Sequence, residues 1–350
     1  MPSPKPVVAH PHLRPNKLGL TIRDYEGTMS TLCAGCGHDS VTAGIIQAFH
    51  ELDTEPHRVV KLSGIGCSSK TPTYFVSAAH GFNSAHGRMP SIATGANAAN
   101  RSLTYIGVSG DGDSLSIGMG QLSHVIRRNL NMLYLIENNG VYGLTKGQFS
   151  ATADRGSKSK RGVTNTDNSI DLVAMALQLG ATFVARSFSG DKVQMVPLIK
   201  AAIEHEGAAF IDIISPCVAF NNHLGSTKSF DYVREHNESV NRLDFITGRA
   251  PITVAYEPGT VEVVEQHDGS KLVLKKVAAD YDPHDRLGAM SFQQRHAAMG
   301  QIVTGLLYVD REPEDLHRNF NTVETPLNSL SEAELCPGSV TLAKINASLR

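Results

Sequence analysis

The chain has 350 residues, room for one large or two ordinary domains with a sizeable core, so explanations that suit small stapled scaffolds are excluded. With 41% hydrophobic and 19% charged residues, 31 glycines and no tryptophan, it reads as a soluble globular protein dense in tight turns, neither disordered nor fibrous. Lys+Arg 32 against Asp+Glu 34 leaves a net charge of -2, which supplies no basic field for nucleic acid, and no apolar run approaches the roughly 18 residues of a membrane span.

Met1 to Lys17 is proline-rich and basic and lacks the apolar stretch of a secretory signal, and residues 1–24 read as an N-terminal arm on a surface. With no export signal and an odd number of cysteines, five, the expectation is a cytoplasmic protein whose thiols are reduced and free to bind metal. A helical stretch from Val41 to Leu52 is followed by an apolar strand, Val59 to Leu62, that ends in the turn Gly64-Ile65-Gly66. Leu103 to Ser109 is the next strand, stopping at Gly110-Asp111-Gly112-Asp113. A helix follows it, with Leu115, Met119, Leu122, Val125 and Ile126 on one face. Met132 to Glu137 reads as a strand, Ile170 to Leu179 as a helix, Ala181 to Ala185 as a strand, Val193 to Glu206 as a helix and Phe210 to Ile214 as a strand. The alternation predicts an α/β domain over 25–225, a parallel sheet flanked by helices on both faces, with ligands gathered at the carboxyl ends of the strands. From 226 to 350 the style changes to a C-terminal segment. Thr260 to His267 and Lys271 to Val277 flank Asp268-Gly269, the signature of an antiparallel hairpin. The tail beyond Asp310 is polar and without a period.

Two constellations carry chemistry. The first is sulfur: Cys33-Ala34-Gly35-Cys36 sets two thiols on a tight turn, Cys67 follows Gly64-Ile65-Gly66, and Cys217 follows Ser215-Pro216 at a strand end. Four thiolates suit tetrahedral zinc or a cubane iron-sulfur cluster. One short pair joined by two distant single cysteines is the layout of clusters buried in larger redox enzymes rather than of structural zinc. Cys336, in the polar tail, reads as an ordinary thiol.

The second is Gly110-Asp111-Gly112-Asp113 followed about twenty-five residues later by Asn138-Asn139. A diphosphate placed there meets backbone N–H groups and the positive end of a helix. Magnesium on it needs hard oxygen ligands, which Asp111, the Asn139 side chain and the Val141 carbonyl would supply. The pairing of the two elements resembles the thiamine diphosphate motif more than an ordinary turn.

Together these blocks resemble the thiamine-binding beta subunits of the 2-oxoacid:ferredoxin oxidoreductases. The resemblance runs in order from Leu32 to about His223, through Cys33 to His38, Gly64 to Lys70, His86 to Arg88, Gly110 to Asp113, Asn138 to Gln148 and Ser215 to Cys217. Ala34 stands where the family usually has Pro, a change that leaves both thiols in place. The charged stretch Gly156 to Thr166, with Lys158, Lys160 and Arg161, is more polar than the family pattern and reads as a solvated face.

The resemblance implies a thiamine diphosphate-binding fold with one four-iron, four-sulfur cluster on Cys33, Cys36, Cys67 and Cys217. It also implies thiamine diphosphate in contact with Ile65, Gly66, Cys67, Ser68, His86, Gly112, Asp113, Leu144 and Thr145, and Mg2+ on Asp111, Asn139 and Val141. Other histidines, His38 among them, are read as structural. The implied activity is decarboxylation of a 2-oxoacid with coenzyme A, electrons passing through the cluster to ferredoxin. The activating glutamate is expected from a separate alpha subunit in a two-alpha, two-beta complex. Lys146, in Leu144 to Gln148, and Lys70 lie on the two cofactor loops. By resemblance a lysine there meets the distal carboxylate of 2-oxoglutarate, with pyruvate or broad 2-oxoacid specificity as the alternative. From other classes, a cluster-bearing electron carrier predicts no thiamine binding, and a zinc-stapled scaffold predicts a colourless protein.

Overall fold

In the computed structural model of the chain, residues 12–159, 161–220, 250–267, 269–336 and 338–349 are described. Strands β1 (Val59–Ser63), β2 (His80–Asn83), β3 (Thr104–Gly110) and β4 (Met132–Asn138) come first. The short strands β5 (Val141–Tyr142) and β6 (Gln148–Phe149) then pair as a separate antiparallel ribbon. Five more strands follow: β7 (Phe183–Phe188), β8 (Ala208–Ile214), β9 (Val261–Glu265), β10 (Lys271–Lys276) and β11 (Ile302–Val309). Apart from the ribbon, they form one sheet in the order β2-β1-β3-β4-β8-β7-β11-β10-β9. All neighbours from β2 to β7 run parallel, and β11 meets β7 antiparallel.

A strand buried on both faces must be apolar at every position, and β4 reads Met-Leu-Tyr-Leu-Ile before its polar end. Its pleat sends Met132, Tyr134 and Ile136 to one side and Leu133 and Leu135 to the other. Helices α1 (Gly37–Glu51), α2 (Met89–Ala99), α3 (Met119–Arg127), α4 (Leu172–Leu179), α5 (Lys192–Glu204) and α6 (Arg286–Ala298) cover the two faces. Val41, Ile45 and Phe49 of α1 pack with Met195 and Ile199 of α5, while α2, α3, α4 and α6 close the opposite face through residues such as Ala93, Leu122, Val173 and Ala289. The expected architecture is observed, a mostly parallel sheet between helical layers with an antiparallel hairpin, β9–β10, in the C-terminal part.

The tail beyond Asp310, read as without a period, carries the helices Leu316–Phe320, Glu332–Leu335 and Gly338–Ser348, and three further details differ from the sequence expectation. Residues Gly112–Ile117 wind as a π-helical turn before α3, so the helical period restarts at Gly118 and Met119 faces solvent while Leu115, Leu122, Val125 and Ile126 are buried. Strand β11 was not anticipated: Gly305, at φ +120°, and a register shift between Leu306 and Tyr308 interrupt the alternation by which a strand is read. Strand β2 and helix α2 also escaped notice. The first is exposed at all four positions and the second is rich in alanine and small polar residues. The hairpin is not detached; β11 lies between β10 and β7 and joins it to the main sheet. The boundary at 225/226, Asp268 of the hairpin turn and arm residues 1–11 lie outside the described residues. The described part of the arm packs against α1, where Asn16 donates to the Tyr25 hydroxyl and to the His50 carbonyl.

Under the sheet's carboxyl edge sits a buried ionic group. Arg186 of β7 donates to Asp212 of β8 (2.7 Å) and to Asp171, the N-cap of α4 (2.8 Å). Gln293 of α6 donates to the other Asp171 oxygen (2.6 Å). Burial opposes ionisation of Asp171, yet Arg186 beside it holds its carboxyl below the usual range; for Asp212 burial prevails and pushes it up. Arg186→Met strands a buried carboxylate and is expected to cost about 3–5 kcal/mol of stability, read as a lower urea midpoint. A midpoint within error of wild type would show that the group does not hold α4, β7 and β8 together.

Candidate functional site

The carboxyl ends of β1, β3 and β4 open onto a cleft. Its wall includes Ile65, Gly66, Cys67 and Ser68 from the loop after β1, Asp111, Gly112 and Asp113 after β3, and Asn139, Val141, Leu144 and Thr145 after β4. Ile65 and Leu144 are exposed there, leaving apolar surface open beside the polar strand ends.

Asp111 is 1% exposed, and burial pushes its carboxyl above the usual range against the pull of the Ser150 and Thr152 hydroxyls. Its two oxygens are unequally used. Oδ2 accepts from Ser150, from Thr152 and from the Gly140 N–H (3.2 Å), whereas Oδ1 has only the Asn139 N–H at 3.5 Å. One oxygen of a buried carboxylate is thus saturated and the other left open beside the Asn139 amide. The Asn139 side-chain oxygen accepts from the Val141 N–H (3.1 Å), which ties amide and turn together. The donor set therefore fits a small hard cation held by Asp111 Oδ1, the Asn139 oxygen and the Val141 carbonyl, because a cation offsets the cost of burying the charge.

Asp113 serves the opposite wall. Its carboxylate accepts from Ser109 (2.7 Å) and from the N–H groups of Ile65 (3.2 Å) and Gly87 (2.7 Å), and the His86 ring nitrogen Nδ1 lies against it. The side chain braces the loops after β1 and β2, and Gly64 sits so close to it that any Cβ would collide. Gly112 is similarly constrained, since a Cβ there would stand 2.6 Å from the ring of Tyr142, whose hydroxyl donates to the Gly112 carbonyl (3.0 Å).

The cysteines gather at the same end of the sheet. Cys36 is the N-cap of α1 and Cys67 the N-cap of the 3₁₀ turn Ser68–Thr73. The Cys33–Cys36 turn is tied to the Ser215-Pro216-Cys217 turn by Gly37 N–H donating to the Pro216 carbonyl (3.3 Å) and by His38 Nδ1 against the Ser215 hydroxyl (2.6 Å). Cys36 is near enough to Cys217, and Cys67 to Cys33, for each pair to interact electrostatically. Burial pushes the Cys36 and Cys67 thiols up. Among the described residues no three His, Cys, Asp or Glu side chains close into a metal cage, so the four thiols converge on one region without forming a finished one.

The expected contacts Ile65, Gly66, Cys67, Ser68, His86, Gly112, Asp113, Leu144 and Thr145 all line the cleft, as do Asp111, Asn139 and Val141. Lys70 and Lys146 are outside its wall. Lys70 lies near Cys67, and Lys146 is exposed at the tip of the β5–β6 ribbon with φ +77°. Sequence reasoning passed over Ser150 and Thr152, which sit in the turn beyond β6, closed by the Ala153 N–H donating to the Ser150 carbonyl (3.1 Å), and carry no motif of their own. It set His38 aside, although the ring lines the cleft with Nε2 3.4 Å from the Asn139 amide nitrogen. Burial lowers its pKa to about 4, so it is neutral near pH 7. It also missed Glu137, fully buried, with neither carboxyl oxygen hydrogen-bonded; burial raises it well above the carboxylate range, and Oε2 lies 3.6 Å from His38 Nδ1.

Residues 64–213 match the family model described as the thiamine pyrophosphate enzyme C-terminal TPP binding domain. The 2-oxoacid:ferredoxin oxidoreductase 1 subunit beta of Aeropyrum pernix is 45% identical over 194 residues, 55% of this chain and 60% of that protein. The chain therefore spans about three fifths of the length of that relative. The 2-oxoglutarate synthase subunit KorB of Methanocaldococcus jannaschii is 35% identical over 214 residues, 61% of this chain and 78% of that protein. A solved structure of 2-oxoglutarate:ferredoxin oxidoreductase from Magnetococcus marinus, with 2-oxoglutarate, coenzyme A and succinyl-CoA bound, is similar at TM-score 0.69 and 28% identity, over 92% of this chain and 96% of that one. Ordered cleft residues, fold and relatives agree: the chain belongs to the thiamine diphosphate-binding beta subunits of the 2-oxoacid:ferredoxin oxidoreductases.

Proposed function

We propose that the chain is the beta subunit of a 2-oxoglutarate:ferredoxin oxidoreductase. With an alpha subunit, in a two-alpha, two-beta assembly, it converts 2-oxoglutarate and coenzyme A reversibly to succinyl-CoA and carbon dioxide, passing electrons through one four-iron, four-sulfur cluster to ferredoxin. The observation that carries this reading is the buried Asp111 carboxylate, one oxygen saturated and one open, facing a cleft that Cys67 also lines. Thiamine diphosphate supplies the carbanion-stabilising chemistry that decarboxylation needs. This chain's part is to hold it. Asp111, Asn139 and Val141 bind Mg2+, Gly112 and Asp113 border the diphosphate, and Ile65, Gly66, Ser68, His86, Leu144 and Thr145 enclose the rest. Cys33, Cys36, Cys67 and Cys217 ligate the cluster. Pyruvate or broad 2-oxoacid use is the second reading, since the relatives include both 2-oxoacid and 2-oxoglutarate forms. A non-catalytic electron carrier would have no use for the intact Asp111 and Asn139 arrangement. Among the described residues no helix is long and apolar enough to cross a membrane, and a cytoplasmic setting is part of the proposal.

Asp111→Ala removes the metal's protein carboxylate and is expected to abolish magnesium-dependent thiamine diphosphate binding in the assembled complex while iron and sulfide contents stay unchanged. Wild-type affinity by calorimetry would overturn the metal assignment. For the cluster, Cys217→Ser is expected to lose or perturb the iron-sulfur absorbance and Cys336→Ser to leave it intact. Anaerobic protein with stoichiometric zinc and no iron would refute the ligand set.

Lys146 follows Thr145, the last residue of the cleft wall in that loop, within the segment proposed to face the substrate. A charge-assisted bond to the distal carboxylate of 2-oxoglutarate is worth about ten- to a hundredfold in discrimination. Lys146→Met is therefore expected to lower the kcat/KM ratio of 2-oxoglutarate to pyruvate by about that factor, with cofactor contents unchanged. Equal slowing of both substrates would remove Lys146 from specificity.

A further inference from the structure

The hydroxyl of Thr152 lies between the two strand ends that supply the metal ligands. It donates to Asp111 Oδ2 at the end of β3 and also faces Asn138 Oδ1 (2.9 Å), the residue before Asn139 at the end of β4. Behind it, the Asn138 amide donates to Asp212 (3.1 Å), and Asp212 accepts from Arg186 (2.7 Å), itself bound to Asp171 (2.8 Å). Ser150 reaches Asp111 and Thr152 but has no bond to Asn138, so of the two hydroxyls only Thr152 touches both sides.

We propose that Thr152 is the positioning residue of the metal site, setting the spacing of Asp111 and Asn139 against a frame formed by Asn138, Asp212 and Arg186. The inference rests on the reading of Asp111 and Asn139 as Mg2+ ligands and adds the element that holds them in register. The physical reason is the cation's own demand. Mg2+ requires near-ideal octahedral geometry with short bonds, whereas Ca2+ accepts longer and irregular ones. Backbone pairing fixes β3 and β4 only at the level of the main chain, with Gly110 opposite Glu137. Beyond the last ladder pair, side-chain contacts must set the distance between the two ligands. The Thr152 hydroxyl supplies one that spans both.

The test uses the full chain in the assembly in which it is isolated, with thiamine diphosphate binding followed calorimetrically against Mg2+ or Ca2+ concentration and with thermal melting in parallel. Thr152→Val keeps the shape and removes the hydroxyl. It is expected to raise the Mg2+ concentration for half-saturation about tenfold, the loss of one hydrogen bond to a charged group, and the Ca2+ requirement less than about threefold. Thr152→Ser is expected to restore the Mg2+ requirement. Asn138→Ala combined with Thr152→Val is expected to add less than the sum of the two single effects, since both cut the same connection. An unchanged Mg2+ requirement in Thr152→Val would overturn the role of Thr152. Equal losses for both cations together with a lower melting temperature would also overturn it, by reducing Thr152 to a packing residue. Failure of the wild-type chain to bind thiamine diphosphate with either cation would instead bring down the cofactor reading, and this inference with it.

Discussion

Burial of a single carboxylate, Asp111, is the constraint from which the site follows. A carboxylate removed from water needs donors or a cation, and Asp111 has three donors on one oxygen and almost none on the other. Two of the three come from residues about forty positions later in the chain, brought back by the β5–β6 ribbon. The ribbon's turn is set by the Gly147 N–H donating to the Tyr142 carbonyl (2.9 Å), and Tyr142 in turn rests on Gly112. The segment that returns the donors is therefore the one that closes the cleft over the β3 end.

Asp113 stands two residues beyond Asp111, and on the π-helical turn that begins there such a separation is roughly half a turn. The two carboxylates consequently face opposite ways. Asp111 turns to the β4 side and the ribbon, and Asp113 to the loops after β1 and β2. One short segment after β3 thus gathers the loops from three other strand ends, and the Gly-Asp-Gly-Asp spacing is what allows it: glycines where a Cβ would strike Ser68 or Tyr142, acids where backbone N–H groups must be met.

This division of labour explains what could be read in advance. Continuous apolar runs announced β1, β3, β4 and β8, and the positions of Asp111, Asn139 and the cysteines at strand ends followed from that rhythm. Short motifs carry such information because their chemistry is local. The partners of Asp111 are not local: which hydroxyl reaches it depends on how the ribbon folds back. Arg186, Asp212 and Asp171 are ordinary charged residues in sequence and become a group only when β7 and β8 pair and α4 caps above them. Glu137 was hidden for the same reason, as an acid at the end of a strand is normally solvated, whereas here it is fully buried with His38 of α1 beside it. Strand β11 was lost to a glycine and a bulge, features that tell of a bend in three dimensions and only of a break in one.

The surroundings of the cysteines follow a different electrical logic from the diphosphate side. Behind Cys36 and Cys67 stand His38, which burial keeps neutral near pH 7, and Glu137, whose carboxyl burial pushes well above the usual range. Lys70 beside Cys67 is the cation that favours the thiolate, acting against the larger cost of burial. Thiols so placed stay protonated until a metal group draws off their protons, and binding such a group would release them to solvent. The backbone ties from Gly37 to Pro216 and from His38 to Ser215 already hold the two turns together without using any sulfur. Those two turns carry Cys33, Cys36 and Cys217, so three of the four cysteines are brought together by main-chain and His38 contacts that belong to the fold itself.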